Sequence, residues 1–290
     1  MPELKLKRHR IDGMEFAPAK WTGDRMTPIL GIVHDTASPL TPLSAARYLQ
    51  SNTAASKPSV HFVVERDGAA QQQVATDRRA NHAGRSSYHG RSGCNGFSVG
   101  MEIVNPGFMT FAGNNKVRAW WGALFDIDED GIVQVDTAAH GSGRWWMPYP
   151  EAQLATVWNI WEAVFAGEPT LMDLRTHWYV SPGRKVDTNP LFPLEQLRAK
   201  LLGREEPLDR EAEEDSTAVA GDGYLTIHVP GDTLNMRRWP SFNPNVLAAI
   251  PDGVEVPHLR SGTFGGRLWH LVVYGGVEGW VVDRYTRPVP

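Results

Sequence analysis

Residues 204–223, REEPLDREAEEDSTAVAGDG, carry eight carboxylates against two arginines. A segment of net charge -6 with no apolar period repels itself and offers no face to a core. It predicts an extended linker, with a surface helix over EEPLDREAEED as the alternative. Either form divides the 290-residue chain in two. The flanks are nearly neutral: 21 basic and 20 acidic groups in 1–203, six and five in 224–290. The expected organisation is a domain over 1–203, a linker over 204–223 and a small domain over 224–290.

Composition narrows the function classes. Mean hydropathy is -0.35, and no stretch approaches the ~18 apolar residues of a membrane helix, which argues against an integral membrane protein. Eleven Trp, seven Tyr and ten Phe supply core-forming surface that a disordered chain lacks. The single cysteine, Cys94, excludes a disulfide framework and a zinc site built on several thiolates. A net charge of -4 and a pI near 6.2 argue against nucleic acid as a partner. The opening MPELKLKRHRIDGMEF has basic residues but no apolar stretch behind them. The expectation is cytoplasmic synthesis without a signal peptide, with release by a signal-independent route left open. Nothing in the sequence sets the oligomeric state.

The first domain mixes two periods. TPILGIVHD (27–35) and FSVGMEIVN (97–105) read as buried strands, and VHFVVERDGAAQQQV (60–74) as a hairpin turning at Arg66-Asp67-Gly68. TPLSAARYLQSN (41–52) reads as a helix. EAQLATVWNIWEAVFAG (151–167) reads as a longer one, with Leu154, Val157, Trp158, Trp161 and Val164 on one side and Gly167 as its stop. This order predicts an α/β (α+β) domain, a mixed central sheet flanked by helices. The tail alternates short β-rich runs (YLTIHV, NVLAAI, GVEVPHL, LWHLVVY, GWVVDRY) with Gly and Pro, which predicts a small β-barrel.

The residues with chemical potential are His34, Glu102, His177, Lys185 and Asp187. His34 ends a predicted strand, and His177 and Asp187 lie ten apart in THWYVSPGRKVD, across the turn Ser181-Pro182-Gly183. Two imidazoles and a carboxylate suit zinc with one coordination position left for a non-protein ligand. Spacing alone does not select this trio from ten histidines.

The local sequences do more. HAGRSSYHGRSGCNGFSVGMEIVN (82–105) resembles the central motif of the zinc N-acetylmuramoyl-L-alanine amidases of the type-2 family, which includes the peptidoglycan recognition proteins. THWYVSPGRKVD resembles that family's second motif, GIVHDTA its first zinc strand, and HFVVERDG the hairpin that follows. The Cys-Asn pair points to the muropeptide-recycling branch. The resemblance implies Zn2+ on His34, His177 and Asp187, Glu102 as the acceptor of the attacking water's proton, and Lys185 as the group that steadies the oxyanion. It also implies that His82 faces the substrate, and Asn105 is expected to line the cleft. The implied reaction cuts the amide between N-acetylmuramic acid and L-alanine, in peptidoglycan or its muropeptide fragments. The leading expectation is a cell-wall lytic enzyme of the phage or prophage endolysin kind. The alternatives are a cytosolic amidase recycling anhydro-muropeptides and a non-catalytic peptidoglycan recognition protein. The tail, through LNMRRWPSFNPNVLAAIPDGVEV and LWHLVVYGGVEGWVVDRY, is similar to bacterial SH3-like domains, many of which bind wall peptides.

Other features have plainer readings. His61 is expected to be structural and Cys94 a buried or loop thiol. DIDEDG (126–131) opens like a calcium loop, but Thr137 stands where a bidentate Glu is required, so a hairpin turn between LFDI and IVQVD is expected instead. Trp120, Trp121, Trp145 and Trp146, in a 106–150 insertion, either wall a cleft or form a local core, and the local core is preferred.

Overall fold

The computed structural model describes residues 4–137, 140–202, 219–220, 223–237, 240, 246–264 and 267–289. The chain forms two compact units, residues 1–202 and 203–290. Most of the expected linker lies outside the described residues. One correction falls within it: Val219–Ala220 is a short strand paired antiparallel with Arg260–Ser261, so these two residues belong to the second unit's sheet.

In the first unit, strands β1 (Glu15–Phe16), β2 (Leu30–Asp35), β3 (Phe62–Val64), β4 (Ala70–Gln72), β5 (Ser98–Ile103) and β6 (Asp173–Thr176) make one mixed sheet in the order β6-β2-β5-β3-β4-β1. Only the β3–β4 hairpin is antiparallel. The helices are α1 (Ser44–Ser51), α2 (Glu151–Gly167), α3 (His177–Val180) and α4 (Leu194–Leu201). Strand β2 is buried along its whole length, as the unbroken apolar run LGIV requires of a strand inside a parallel sheet. Strand β6 was not legible, because two of its four residues are Asp173 and Arg175; both are buried, and the Asp173 carboxylate bonds Arg198 of α4. Strand β1 escaped because it is two residues long.

Alternation along the strands separates two faces. Val33, Val99, Met101, Phe62 and Val64 pack beneath Val157, Ile160, Trp161 and Val164 of α2. Gly31 lets that helix seat: a Cβ there would lie 2.6 Å from Leu174 and 2.8 Å from the Trp161 ring. Gly167 does end α2, but its backbone is not left-handed. A Cβ there would lie 2.5 Å from that of Leu6, so the glycine also admits the N-terminal segment. On the other face Leu30 and Ile32 pack against Ala83, Tyr88, Cys94, Phe97 and Val180. His34 follows Ile32 on this second face, at the carboxyl end of β2.

The 106–150 insertion folds as a three-stranded meander (Thr110–Gly113, Lys116–Arg118, Leu124–Asp126) beside the pair Val133–Gln134 and Trp145–Trp146. Its core holds Met109, Val117, Ala119, Ile132 and Met147, with Trp121, Phe125 and Trp145 against it, and Trp146 is buried. The local core is therefore real, but Trp120 stands outside it, 72% exposed. The Asp-rich turn forms, with Ile132 N–H on the Ile127 carbonyl at 2.8 Å. The expected hairpin across it does not, because Leu124–Asp126 pairs back to Lys116–Arg118 and Val133–Gln134 pairs forward to Trp145–Trp146. Asp126 and Asp130 spend their carboxylates on backbone N–H groups inside that turn.

The second unit is an antiparallel sheet. Strands β7 (Tyr224–Ile227), β8 (Thr233–Arg237), β9 (Val246–Pro251), β10 (Glu255–Phe264), β11 (Arg267–Tyr274), β12 (Val277–Val282) and β13 (Thr286–Pro288) run in the order β9-β8-β12-β11-β10-β7-β13. Leu225, Ile227, Leu234, Met236, Ile250, Val256, Val272 and Val281 form its core. Pairing between the end strands β9 and β13 is not seen among the described residues. No described helix is long and apolar enough to cross a membrane.

Candidate metal and catalytic site

Parallel pairing sets His34 of β2 directly beside Glu102 of β5. One residue beyond β6, the neighbour of β2 on its other side, the chain enters α3 with His177. The loop after α3 returns Asp187 to the same point. His34 Nδ1 and His177 Nδ1 lie 2.9 Å apart, and Asp187 Oδ2 is 2.8 Å from His177 Nδ1 and 3.4 Å from His34 Nδ1. Cys94 is not in this cluster; it is buried in the core of the same face.

The outward nitrogens decide what these atoms can be. His177 Nε2 lies 3.1 Å from the Ala83 carbonyl oxygen and 3.2 Å from Arg184 Nη2; with its proton on Nε2, donated to the carbonyl, Nδ1 is a bare lone pair. His34 Nε2 faces His82 Nδ1 at 2.9 Å, and His82 Nε2 in turn faces the Ser98 carbonyl at 3.4 Å. A proton on His82 Nε2 leaves its Nδ1 as the acceptor of the His34 N–H, and His34 Nδ1 is then bare as well. Two lone pairs and a carboxylate oxygen at 2.8–3.4 Å repel one another unless a cation or proton sits between them. Ligand atoms around a tetrahedral zinc lie about 3.3 Å apart, so this donor set fits that ion.

Burial reinforces the point. Desolvation lowers His34 to about 4, with His177 adding to the effect, and lowers His61 likewise to about 4; both rings are neutral near pH 7. Glu102 goes the other way. Burial first, then the charges of Asp187 and Asp35, push it up to about 8, while Lys185 pulls it down. Its Oε2 is buried with no hydrogen-bond partner among the described atoms.

Asn105 needs a different account from the expected one, and His82, expected to face the substrate, also has partners within the protein. His82 packs over Gly100, where a Cβ would lie 2.5 Å from its Nδ1, and its ring nitrogens engage His34 and Ser98. It orients the His34 imidazole. Asn105 is corrected: it does not line a cleft. It is fully buried, its amide donates to the Met147 carbonyl, and its oxygen accepts the Gly107 N–H. His61 is structural as expected, donating to the Arg78 carbonyl and accepting the Gly100 N–H.

Three further residues were not legible in the sequence. Asp35 accepts Tyr149 Oη–H at 2.6 Å and the Asn189 N–H at 2.8 Å, tying β2 to the Asp187 loop. His140 Nε2–H donates to the Thr188 carbonyl at 2.8 Å, so the insertion also grips that loop. The Arg184 guanidinium donates to the Ala83 and Arg85 carbonyls and to Ser181 Oγ, locking the 83–85 turn to the ligand loop. The only available signals were adjacency to His34 for Asp35 and to Lys185 for Arg184.

The sequence profile of the N-acetylmuramoyl-L-alanine amidase family, Amidase_2, matches residues 24–190, more than half of the chain and all of the cluster above. The chain belongs to this amidase family. Among curated relatives, the 1,6-anhydro-N-acetylmuramyl-L-alanine amidase AmpD of Salmonella typhimurium is 30% identical over 142 residues, 49% of this chain and 56% of that protein. AmpD of Escherichia coli K12 is 39% identical over 74 residues, 25% of this chain and 40% of that protein. The match thus spans little more than half the length of these amidase relatives at most. A solved selenomethionine AmpD aligns with TM-score 0.47 at 24% identity, over 67% of this chain and 97% of that one. AmiD of E. coli, solved with anhydro-N-acetylmuramic acid-L-Ala-D-gamma-Glu-L-Lys, aligns with TM-score 0.44 at 20% identity, over 69% and 66%.

Proposed function

We propose that this family member is a zinc-dependent N-acetylmuramoyl-L-alanine amidase, cleaving the amide between the lactyl group of N-acetylmuramic acid and L-alanine. The observation that carries the reading is the convergence of three acceptor atoms beside a desolvated carboxylate whose free oxygen has no partner. Zinc held by His34, His177 and Asp187 would supply Lewis acidity for the carbonyl and lower the pKa of water.

The chain's own residues divide the remaining work. Glu102 receives the proton of the attacking water on its unused Oε2 and returns one to the leaving amine. Lys185, whose charge acts on both Glu102 and His34, offers a cation to the oxygen anion developing on the attacked carbonyl. His82 and the Ala83 carbonyl hold the two imidazoles in the tautomer that aims Nδ1 inward. The completeness of this set weighs against a binding-only recognition role.

The natural substrate in this reading is the polymeric wall, with the second unit acting as an SH3-like wall-binding module, as in an endolysin. A second reading is favoured by the names of the curated relatives, which are 1,6-anhydro-muramyl amidases: the substrate would be soluble anhydro-muropeptide. Mass spectrometry of products from intact sacculi and from soluble anhydro-muropeptide, each with and without chelator, tests both. Chelator-sensitive release of stem peptide supports the amidase, and preference between the two substrates selects the reading. Zinc-loaded protein that cleaves neither overturns it.

A further inference from the structure

Trp120 is 72% exposed, yet it is not loose. Its indole Nε1–H donates to the Ala37 carbonyl at 2.7 Å. Ala37 lies three residues beyond His34, so their Cα atoms are at most about 11 Å apart. That carbonyl sits on a braced strand end: Thr36 N–H bonds the Ile103 carbonyl, Ser38 N–H bonds the Asn105 carbonyl, and Gly107 packs against Ala37 so closely that a Cβ would lie 3.0 Å away. The Trp120 ring also meets Trp121 edge-on at 5.8 Å, and Trp121 packs on the insertion's core. One polar atom of the indole is thus spent on holding it, while the residue stays 72% exposed.

We propose that Trp120 is a saccharide-stacking platform: it binds the pyranose ring of the muramic acid residue whose lactyl amide is cut. This rests on the amidase reading above. An indole whose N–H is already engaged has only its apolar faces to offer, and the C–H face of a pyranose is a flat partner of matching polarity. The scissile bond joins sugar to peptide, so a ring anchored beside the His34 strand end is placed to hold the sugar half.

The test compares two substrates on the full chain with zinc: N-acetylmuramoyl-L-Ala-D-isoGln, and D-lactoyl-L-Ala-D-isoGln, which keeps the amide and lacks the sugar. Trp120→Ala is expected to raise KM for the muramoyl substrate roughly three- to tenfold with kcat little changed, and to leave kinetics on the lactoyl substrate as in the parent. Trp120→Phe, which keeps a ring face but loses the N–H anchor, should fall between. Unchanged KM for the muramoyl substrate overturns the proposal, and so does an equal loss on both substrates, which would mean that Trp120 acts through Ala37 or on the peptide. Should Trp120→Ala fail to fold, Trp120→Phe and Trp120→Leu carry the comparison, with Phe retaining more sugar-dependent affinity than Leu. A parent protein inactive on both substrates would instead fail the amidase reading.

Discussion

Two histidine clusters in this chain are built from similar parts and end in opposite states. In the second unit, Ser261 of β10 and His270 of β11 face each other in register, with Asp283 just past β12. His270 Nε2–H donates to Asp283 Oδ1 at 2.8 Å, its Nδ1 accepts Ser261 Oγ–H at 2.8 Å, and Ser261 Oγ accepts His258 Nε2–H at 2.9 Å. Donor meets acceptor at each step, so this line of groups satisfies itself. In the first unit, with protons on the outward Nε2 atoms, His34 and His177 turn bare Nδ1 atoms toward the Asp187 carboxylate. Hydrogen bonding is complete in the first arrangement and unfinished in the second. The lesson is that histidine content does not mark a metal site. The direction of the lone pairs separates the cluster proposed to hold zinc from the self-satisfied one, and the outer partners Ala83 and His82 bear on that direction.

The strongest way to break the comparison is to remove one converging acceptor. His177→Ala or Asp187→Ala should abolish zinc binding, read by metal analysis, and reduce hydrolysis to background. Retained stoichiometric zinc in either variant would mean that the cluster is not the metal site. Next in size, Glu102→Gln should keep zinc and the fold while lowering kcat about 10²- to 10⁴-fold. A near-normal rate removes Glu102 from proton transfer.

The pH response sharpens the contrast further. In the metal-free protein Glu102 is raised to about 8 and Asp35, chiefly by burial, to about 7. Their folded states hold protons more tightly than the unfolded chain, so their stabilising contribution is complete below about pH 4 and is lost as pH rises through 7 to 8. His34 and His61, lowered to about 4, act oppositely: their contribution is present above pH 6.5 and is lost as pH falls toward 4. A divalent cation offsets the carboxylate charge, so the rise in Tm on adding zinc should be larger at pH 8 than at pH 6. Differential scanning fluorimetry with and without chelator reads this, and an equal or reversed shift would refute the electrostatic account. The smallest effect belongs to the self-satisfied cluster. Ser261→Ala should cost about 1 kcal/mol in the unfolding of the second unit, with soluble-substrate hydrolysis and zinc content unchanged. A loss of either would show that the second cluster is not merely structural.

Much of the frame was legible in the sequence. The run LGIV announced a buried strand, the apolar spacing of 151–167 announced α2, and the charge count located a division near residue 203, because each depends on neighbours within one or two turns of chain. Of the candidate site, His34, Glu102, His177, Lys185 and Asp187 were named from their local motifs; the fold sets His34 beside Glu102 and brings His177 and Asp187 to His34, and the charge of Lys185 acts on Glu102 and His34. Asn105 was misread for a physical reason: a buried amide and a cleft amide look alike until the partners of its donor and acceptor are known, and Met147 is far along the chain.

What the sequence by itself determined is therefore the set of chemical groups, the periods that make strands and helices, and the places where the chain must turn. What only the tertiary structure decided is where each proton and lone pair points. Register put His34 beside Glu102, the Ala83 turn and His82 took the outward N–H groups, Asp35 and His140 gripped the Asp187 loop, and Ala37 caught the indole of Trp120. These contacts join residues 48 to 154 positions apart or set neighbouring strands in register. Hydrogen bonds and desolvation act over a few ångströms of space, and no local period in a sequence records which distant groups will share that space.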